Sequence, residues 1–191
     1  MPDILRGEIF SKGMNFYTWI AKYTFDPLIL GDMNACIDFL ESKDLYSSSS
    51  SSASISCIGF CWGAWVVAKI LNLSSTCEED YVDNKWKDAT KCGIGLHPST
   101  HVENSVFKRN ENQMLLDIKL PFLLLTAGND KPNLKHGSDV VTHLELNGGK
   151  SIDYPEMVHG WVSRGDLKIE NVVRDVNDAL SRTTDFLQKY V

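Results

Sequence analysis

Apolar and polar positions follow two periods along this chain, and the switch between them marks out strands and helices. Short apolar runs of strand length lie at Ile55–Ile58, Cys92–Leu96 and Pro121–Thr126, and Ser151–Tyr154 alternates in polarity. Between them the apolar residues recur at helical spacing. Asn15–Tyr23 reads as a short amphipathic helix. Asp32–Ser42 reads as another, with Met33, Ala35, Cys36, Phe39 and Leu40 on one stripe. A helix is expected over Trp65–Leu71, a second over Glu103–Asp117, and a third over Gly137–Leu146 with Val140, Val141, Leu144 and Leu146 facing in. Leu167–Val191 gives a long C-terminal helix whose stripe includes Ile169, Val172, Val176, Ala179, Leu180 and Phe186. Strands alternating with helices predict one α/β domain over 1–191, a mostly parallel sheet flanked by helices. Two segments break the pattern. The serines from Ser47 to Ser52 cannot build a core, so 45–54 is expected to be a flexible loop. Thr76–Lys91 is polar and insertion-like, with Tyr81 and Trp86 as its anchors.

The first strand and the helix after it enclose Gly59-Phe60-Cys61-Trp62-Gly63. A strand, a tight turn and a helix with G-x-nucleophile-x-G across the turn form the pattern of a nucleophile elbow. Such a turn holds its nucleophile in a strained backbone conformation at the mouth of the sheet. Gly59 and Gly63 lack a Cβ, which lets strand and helix approach closely. The helix N-terminus faces the thiol and favours thiolate, the reactive form. The Trp62 backbone N–H is the expected oxyanion donor.

A nucleophile of this kind needs a base and an acid, which on this fold follow in the order nucleophile, acid, histidine. Asp130 ends the turn after Pro121–Thr126, and His159 lies in the turn after Ser151–Tyr154. Parallel strands put their C-terminal ends on one edge of the sheet, so Cys61, Asp130 and His159 are expected to converge there. Asp153, Glu156 and Asp166 are the rival acids, but Asp153 lies inside a strand and Glu156 is too close to His159 in sequence. His97 also follows a strand end and reads as a structural histidine before Pro98. His101, His136 and His143 have no supporting context, and no pair has metal-ligand spacing.

With these motifs in place, the chain resembles the dienelactone hydrolase family of α/β-hydrolases. Gly59-Phe60-Cys61-Trp62-Gly63, His97-Pro98-Ser99, and His159-Gly160-Trp161 with Arg164-Gly165-Asp166 carry the likeness. Pro2-Asp3-Ile4-Leu5-Arg6-Gly7 resembles the segment after the family's fourth strand. The resemblance implies an α/β-hydrolase fold and a Cys61-His159-Asp130 triad that hydrolyses esters or lactones without metal or cofactor. It implies that Arg6 and Arg164 grip a substrate carboxylate, as a planar guanidinium does well. Trp62 and Trp161 read as packing residues that can also line a pocket rim. The resemblance also implies that the fold is N-terminally truncated, because the family's first strands would precede Pro2. Those strands normally supply the second oxyanion amide and cover the nucleophile strand. Their loss is expected to bare an edge at Ile55–Ile58, to weaken catalysis, and to invite a homodimer over that edge.

Composition narrows the partners. The net charge is −6, which argues against nucleic acid and anionic membranes. No apolar stretch approaches the roughly 18 residues of a membrane-spanning helix. The start of the chain has no basic-then-apolar signal pattern. Cys36, Cys57, Cys61, Cys77 and Cys92 form no C-x-x-C pair, which fits free thiols in a reducing, cytoplasmic setting. The expected partner is a small ester or lactone. Two other readings stay open: a non-catalytic relative that binds or dimerises, and a thiol-based thioesterase or redox protein.

Overall fold

Four strands, β1 (Ile55–Phe60), β2 (Thr90–Leu96), β3 (Phe122–Ala127) and β4 (Lys150–Tyr154), form one sheet in the spatial order of their sequence, and every pairing is parallel. The computed structural model describes residues 2–47, 54–75 and 85–190. The serines at 48–52, Ala53, Cys77 and Tyr81 lie outside the described residues. Helices precede the sheet as α1 (Phe16–Ile20) and α2 (Leu30–Ser42), and α3 (Trp62–Ser75) follows β1 at once. Then come α4 (Trp86–Ala89), α5 (Val102–Ser105), α6 (Glu111–Leu116), α7 (Asp139–Leu146), α8 (Trp161–Arg164) and α9 (Glu170–Tyr190). The chain is therefore an α/β protein with a four-stranded, all-parallel sheet and flanking helices. Among the described residues no helix is long and apolar enough to cross a membrane.

The sheet divides the core in two because successive strand residues point to opposite faces. Phe122 and Leu124 of β3 join Trp65 and Leu71 of α3, Ile37 of α2 and Val141 of α7 in one cluster. Leu123, Leu125 and Ala127 join Ile94, Leu96, Tyr154, Trp161 and Ala179 of α9 in the other. All of β3 is buried, as its unbroken apolar run demands. β1 is an edge strand and differs. Ile55 and Cys57 pack on the first cluster, but Ile58 and Phe60 on the opposite face stay 46% and 43% exposed. The reason is the position of α9, which lies against β2 and β3. Among the described residues no strand pairs with the outer edge of β1.

Several expectations need correction. The first helix stops at Ile20, three residues short of Tyr23; its start is set by Asn15, whose side chain accepts the Thr18 N–H at 3.1 Å. Glu103–Asp117 is two helices rather than one. Lys108 takes a left-handed backbone, and Asn110 opens α6 as a new cap, accepting from the Gln113 N–H at 3.1 Å. The Glu103 carboxylate explains the break. It is buried beside the Trp65 indole, which donates to it at 2.7 Å, and the chain doubles back so that Arg109 donates to it at 2.7 and 2.9 Å. Burial pushes this carboxyl up, but Arg109 and Lys69 outweigh it and hold it below the usual range. In α7 Leu146 is 83% exposed, not inward, and in the C-terminal segment Ile169 and Leu180 face solvent. Trp86 anchors its segment as expected, donating to Asn34 Oδ1 at 3.0 Å.

At the β1–α3 turn the two glycines are not equivalent. A Cβ on Gly59 would collide with the carbonyl of Gly63, whereas a Cβ on Gly63 would meet nothing. The close approach of strand and helix therefore depends on Gly59 alone. Gly59→Ala is expected to lower stability by about 1–3 kcal/mol, as overpacking does. Gly63→Ala should be neutral or slightly stabilising, because alanine suits a helix better. Urea midpoints of the two variants check this, and equal values would contradict the packing account.

Candidate active site

Cys61 sits between β1 and α3 with φ of +53°, a left-handed conformation that side chains rarely adopt. Backbone hydrogen bonds hold it there. Its N–H donates to the Leu96 carbonyl at 3.0 Å, and its own carbonyl accepts from Ser99 N–H at 3.0 Å and Ala64 N–H at 3.1 Å. The turn is thus tied to the end of β2, and the thiol stands at the C-terminal edge of the sheet. Trp62 is the first residue of α3, so its N–H has no acceptor within the helix.

The loops after β3 and β4 meet at the same edge. The Gly128 N–H donates to the Met157 carbonyl at 2.8 Å, and the Asn129 side chain accepts the His159 N–H at 2.7 Å. A Cβ on Gly128 would strike the Pro155 carbonyl, so only glycine lets the two loops touch. Within this clasp His159 Nδ1–H donates to Asp130 Oδ1 at 2.6 Å, and Asp130 Oδ2 accepts the Ala127 N–H at 2.7 Å. The other ring nitrogen, Nε2, is 3.2 Å from Cys61 Sγ. The structure therefore brings Cys61, His159 and Asp130 into one hydrogen-bonded line. The rival acids are engaged elsewhere or lie apart from it. Asp153 accepts from Thr126 at 2.6 Å, Glu156 pairs with Arg174 at 3.4 Å, and Asp166 caps the Lys168 N–H at 2.9 Å.

Electrostatics in the line oppose burial. Burial pushes the Cys61 thiol up, but the hydrogen bond with His159, then the nearby His97 ring and the Ser99 hydroxyl, bring it down to about 5. His159 is raised to about 9, first by Asp130 and next by Cys61. Near neutral pH the pair is a thiolate and an imidazolium. The other described thiols go the opposite way: burial pushes Cys57 up to about 12 and also raises Cys36 and Cys92. Among the described residues no group of three acidic, histidine or cysteine side chains is arranged to hold a metal ion.

Three residues near the line had no place in the sequence-based triad. Ser99 Oγ is 3.5 Å from Cys61 Sγ and 3.3 Å from His159 Nε2. His97 is fully buried, its ring edge-to-face with that of His159 at 5.1 Å between centroids and its Nε2 3.5 Å from Ser163 Oγ. Asn129 fixes the His159 backbone as described above. His97-Pro98-Ser99 was the available signal, since it follows a strand end at the same edge.

The expected substrate residues fare differently. The Arg164 guanidinium lies over Gly160 and, among the described residues, forms no ion pair. It borders a pocket of ≈ 340 Å³ whose walls include His159, Gly160, Trp161, Asn171 and Val172, but not Cys61. Trp161 is buried and packs on Tyr154 with ring centroids 4.6 Å apart, so it is mainly a core residue that supports the His159 turn. Arg6 donates twice to Asp32, at 2.9 and 3.1 Å, and no hydrogen bond or ion pair links it to the triad. Its neighbour Leu5 accepts from Tyr23, whose ring faces that of Trp62 at 6.3 Å. A scan of protein-family models finds none that matches the chain, and a search of curated proteins finds no match either.

Proposed function

We propose that this chain is a cysteine-nucleophile hydrolase of carboxylic esters or lactones, of the dienelactone hydrolase type, on an α/β-hydrolase fold. One observation carries the reading: the line Asp130–His159–Cys61, with Cys61 at positive φ where a strand turns into a helix. The consecutive parallel strands and the chain order of the three residues agree with it.

The chemistry follows from the ion pair. The Cys61 thiolate adds to the carbonyl carbon, and the carbonyl oxygen takes up negative charge facing the Trp62 N–H. The tetrahedral adduct collapses as the imidazolium gives its Nε2 proton to the leaving alkoxide. Alcohol departs, or the ring of a lactone opens, and an acyl thioester remains on Cys61. His159, now neutral, takes a proton from water, and the resulting hydroxide attacks the thioester. The thiolate leaves, the acid is released, and the imidazolium is restored. Asp130 keeps the ring oriented and stabilises its charged form throughout. These steps draw only on protein groups and water. Arg164, on the same pocket wall as His159 and without an ion-pair partner among the described residues, favours a compact substrate carrying a carboxylate.

The test is direct. Folded protein mixed with p-nitrophenyl acetate should carry an acetyl group on Cys61 and on no other cysteine, read by peptide mass spectrometry after an acid quench. Nitrophenolate release by Cys61→Ala as fast as by wild type would sink the proposal. One observation favours a second reading, a weakly active or non-catalytic relative. β1 has no strand on its outer side among the described residues, the side from which the resemblance expects a second oxyanion donor. Lack of one donor costs about 10²- to 10³-fold in rate.

A further inference from the structure

The Ser99 hydroxyl touches both members of the ion pair, and no step above uses it. Ser99 is buried, 5% exposed, in the loop that leaves β2. Its position is set from the backbone, because its N–H donates to the Cys61 carbonyl at 3.0 Å. The hydroxyl then stands 3.5 Å from Sγ and 3.3 Å from His159 Nε2, while Nε2 and Sγ are 3.2 Å apart. The three atoms close a triangle. The donors in it are one imidazolium N–H and one hydroxyl O–H, and the thiolate can accept from both.

We propose that Ser99 is a positioning residue for the nucleophile, its hydroxyl donating to the Cys61 thiolate and accepting from His159 Nε2–H, so that the ion pair is held ready before substrate arrives. A neutral thiol accepts hydrogen bonds weakly, and a thiolate accepts them well. The hydroxyl therefore favours the charged form, and it does so from a buried position where water does not compete. The same contact has a second use after acylation. Sulfur has then lost its charge and His159 Nε2 its proton, so the Ser99 hydroxyl turns to donate to Nε2 and keeps the ring facing the thioester. The groups that face the thiolate are known from each element around it. His159 comes from the β4–α8 loop, His97 from the end of β2, and His101, at longer range, from the start of α5. Among the described residues, Ser99 is the one hydroxyl that contacts the thiol. This inference rests on the nucleophilic role proposed for Cys61, and not on which ester is cleaved.

The test reads the thiol rather than turnover. The rate of Cys61 alkylation by iodoacetamide is followed against pH in the full chain, in Ser99→Ala and Ser99→Gly, which lack the hydroxyl, and in Ser99→Thr, which keeps it. The wild-type midpoint is expected in the acid range. The midpoint of either soluble hydroxyl-free variant should rise by about one pH unit, the scale of one lost hydrogen bond to a charged group. Ser99→Thr should stay close to wild type. An unmoved midpoint in the hydroxyl-free variants overturns the proposal, and so does a Thr variant that shifts as far as Ala, because the effect would then be packing. A wild-type midpoint in the ordinary thiol range would instead remove the nucleophile reading itself, so the two failures are distinct.

Discussion

His159→Ala is expected to reduce ester turnover by at least 10³-fold and, in the same protein, to return Cys61 to ordinary thiol behaviour. General acid–base groups contribute about 10²- to 10⁴-fold by proton transfer alone. Here the imidazole also sets the charge of the nucleophile, so its loss removes both effects. The imidazole contributes the leading hydrogen bond that offsets burial at Cys61. Without it, burial in the site would govern the thiol, and the alkylation midpoint should move from the region of about 5 to that of an ordinary or raised cysteine. The sign of the pH dependence follows. Below about 5 the thiolate is protonated, and above about 9 the imidazolium loses its proton, so wild-type turnover should be bell-shaped between those limits. Both limbs belong to the coupled pair rather than to either residue. The variant should lose the acid limb of its alkylation profile. Steady-state hydrolysis and iodoacetamide rates, each measured against pH with circular dichroism as the check on folding, test the two effects separately. A variant that still alkylates with an acid midpoint would show that something other than His159 creates the thiolate, and His97 would be the next residue to replace.

Much of this site was legible in the sequence because the physics that positions it is local. A tight turn between an apolar strand and a helix, with Gly59 where a Cβ would collide, presents Cys61 from nearby residues, and Leu96 and Ser99 then hold it. Parallel pairing then makes the ends of β1, β3 and β4 share an edge, so chain order alone predicts that Cys61, Asp130 and His159 meet. The parts that were not legible depend on contacts distant in sequence. Nothing near Arg109 announces that Glu103 will be buried beneath Trp65 and will pull the helix apart at Lys108. Nothing near Trp161 shows that Tyr154 and α9 will bury its ring while it still walls the pocket beside His159. Ser99 is the instructive case. Its three-residue motif was visible, but a serine after proline is an ordinary turn residue until the Cys61 carbonyl is seen to hold its N–H. Gly63 shows the reverse. The pattern treats both glycines alike, and only the packing separates the one that is needed from the one that is not.

Asp130→Asn should lower turnover by about 10²- to 10⁴-fold, the scale set by removing the orienting carboxylate from a related triad. The hydrogen bonds at this carboxylate explain why an isosteric change is so costly. Oδ1 accepts from His159 Nδ1–H at 2.6 Å, and Oδ2 accepts from the Ala127 N–H at 2.7 Å. Both neighbours are donors, so the site needs two acceptors, and asparagine has only one. If its oxygen stays on the Ala127 N–H, its NH2 faces Nδ1, which must then give up its proton. The ring becomes the neutral Nε2–H tautomer and no longer carries the imidazolium charge. If the amide turns over, its NH2 opposes the Ala127 N–H and one buried donor goes without a partner. In either case the carboxylate, whose hydrogen bond most raises the His159 value, is gone. The alkaline limb of the turnover profile should therefore fall from about 9 toward the ordinary histidine range, while the acid limb at Cys61 moves less. Asp130→Ala separates charge from geometry. It removes the acceptor without adding a donor, so it should retain more imidazolium than the asparagine variant and be the less damaged of the two. Hydrolysis of p-nitrophenyl acetate across pH, for both variants beside wild type, decides the matter. Turnover within a few-fold of wild type and an unmoved alkaline limb in Asp130→Asn would show that this carboxylate does not orient the base, and the proposed triad would be reduced to a Cys61–His159 pair.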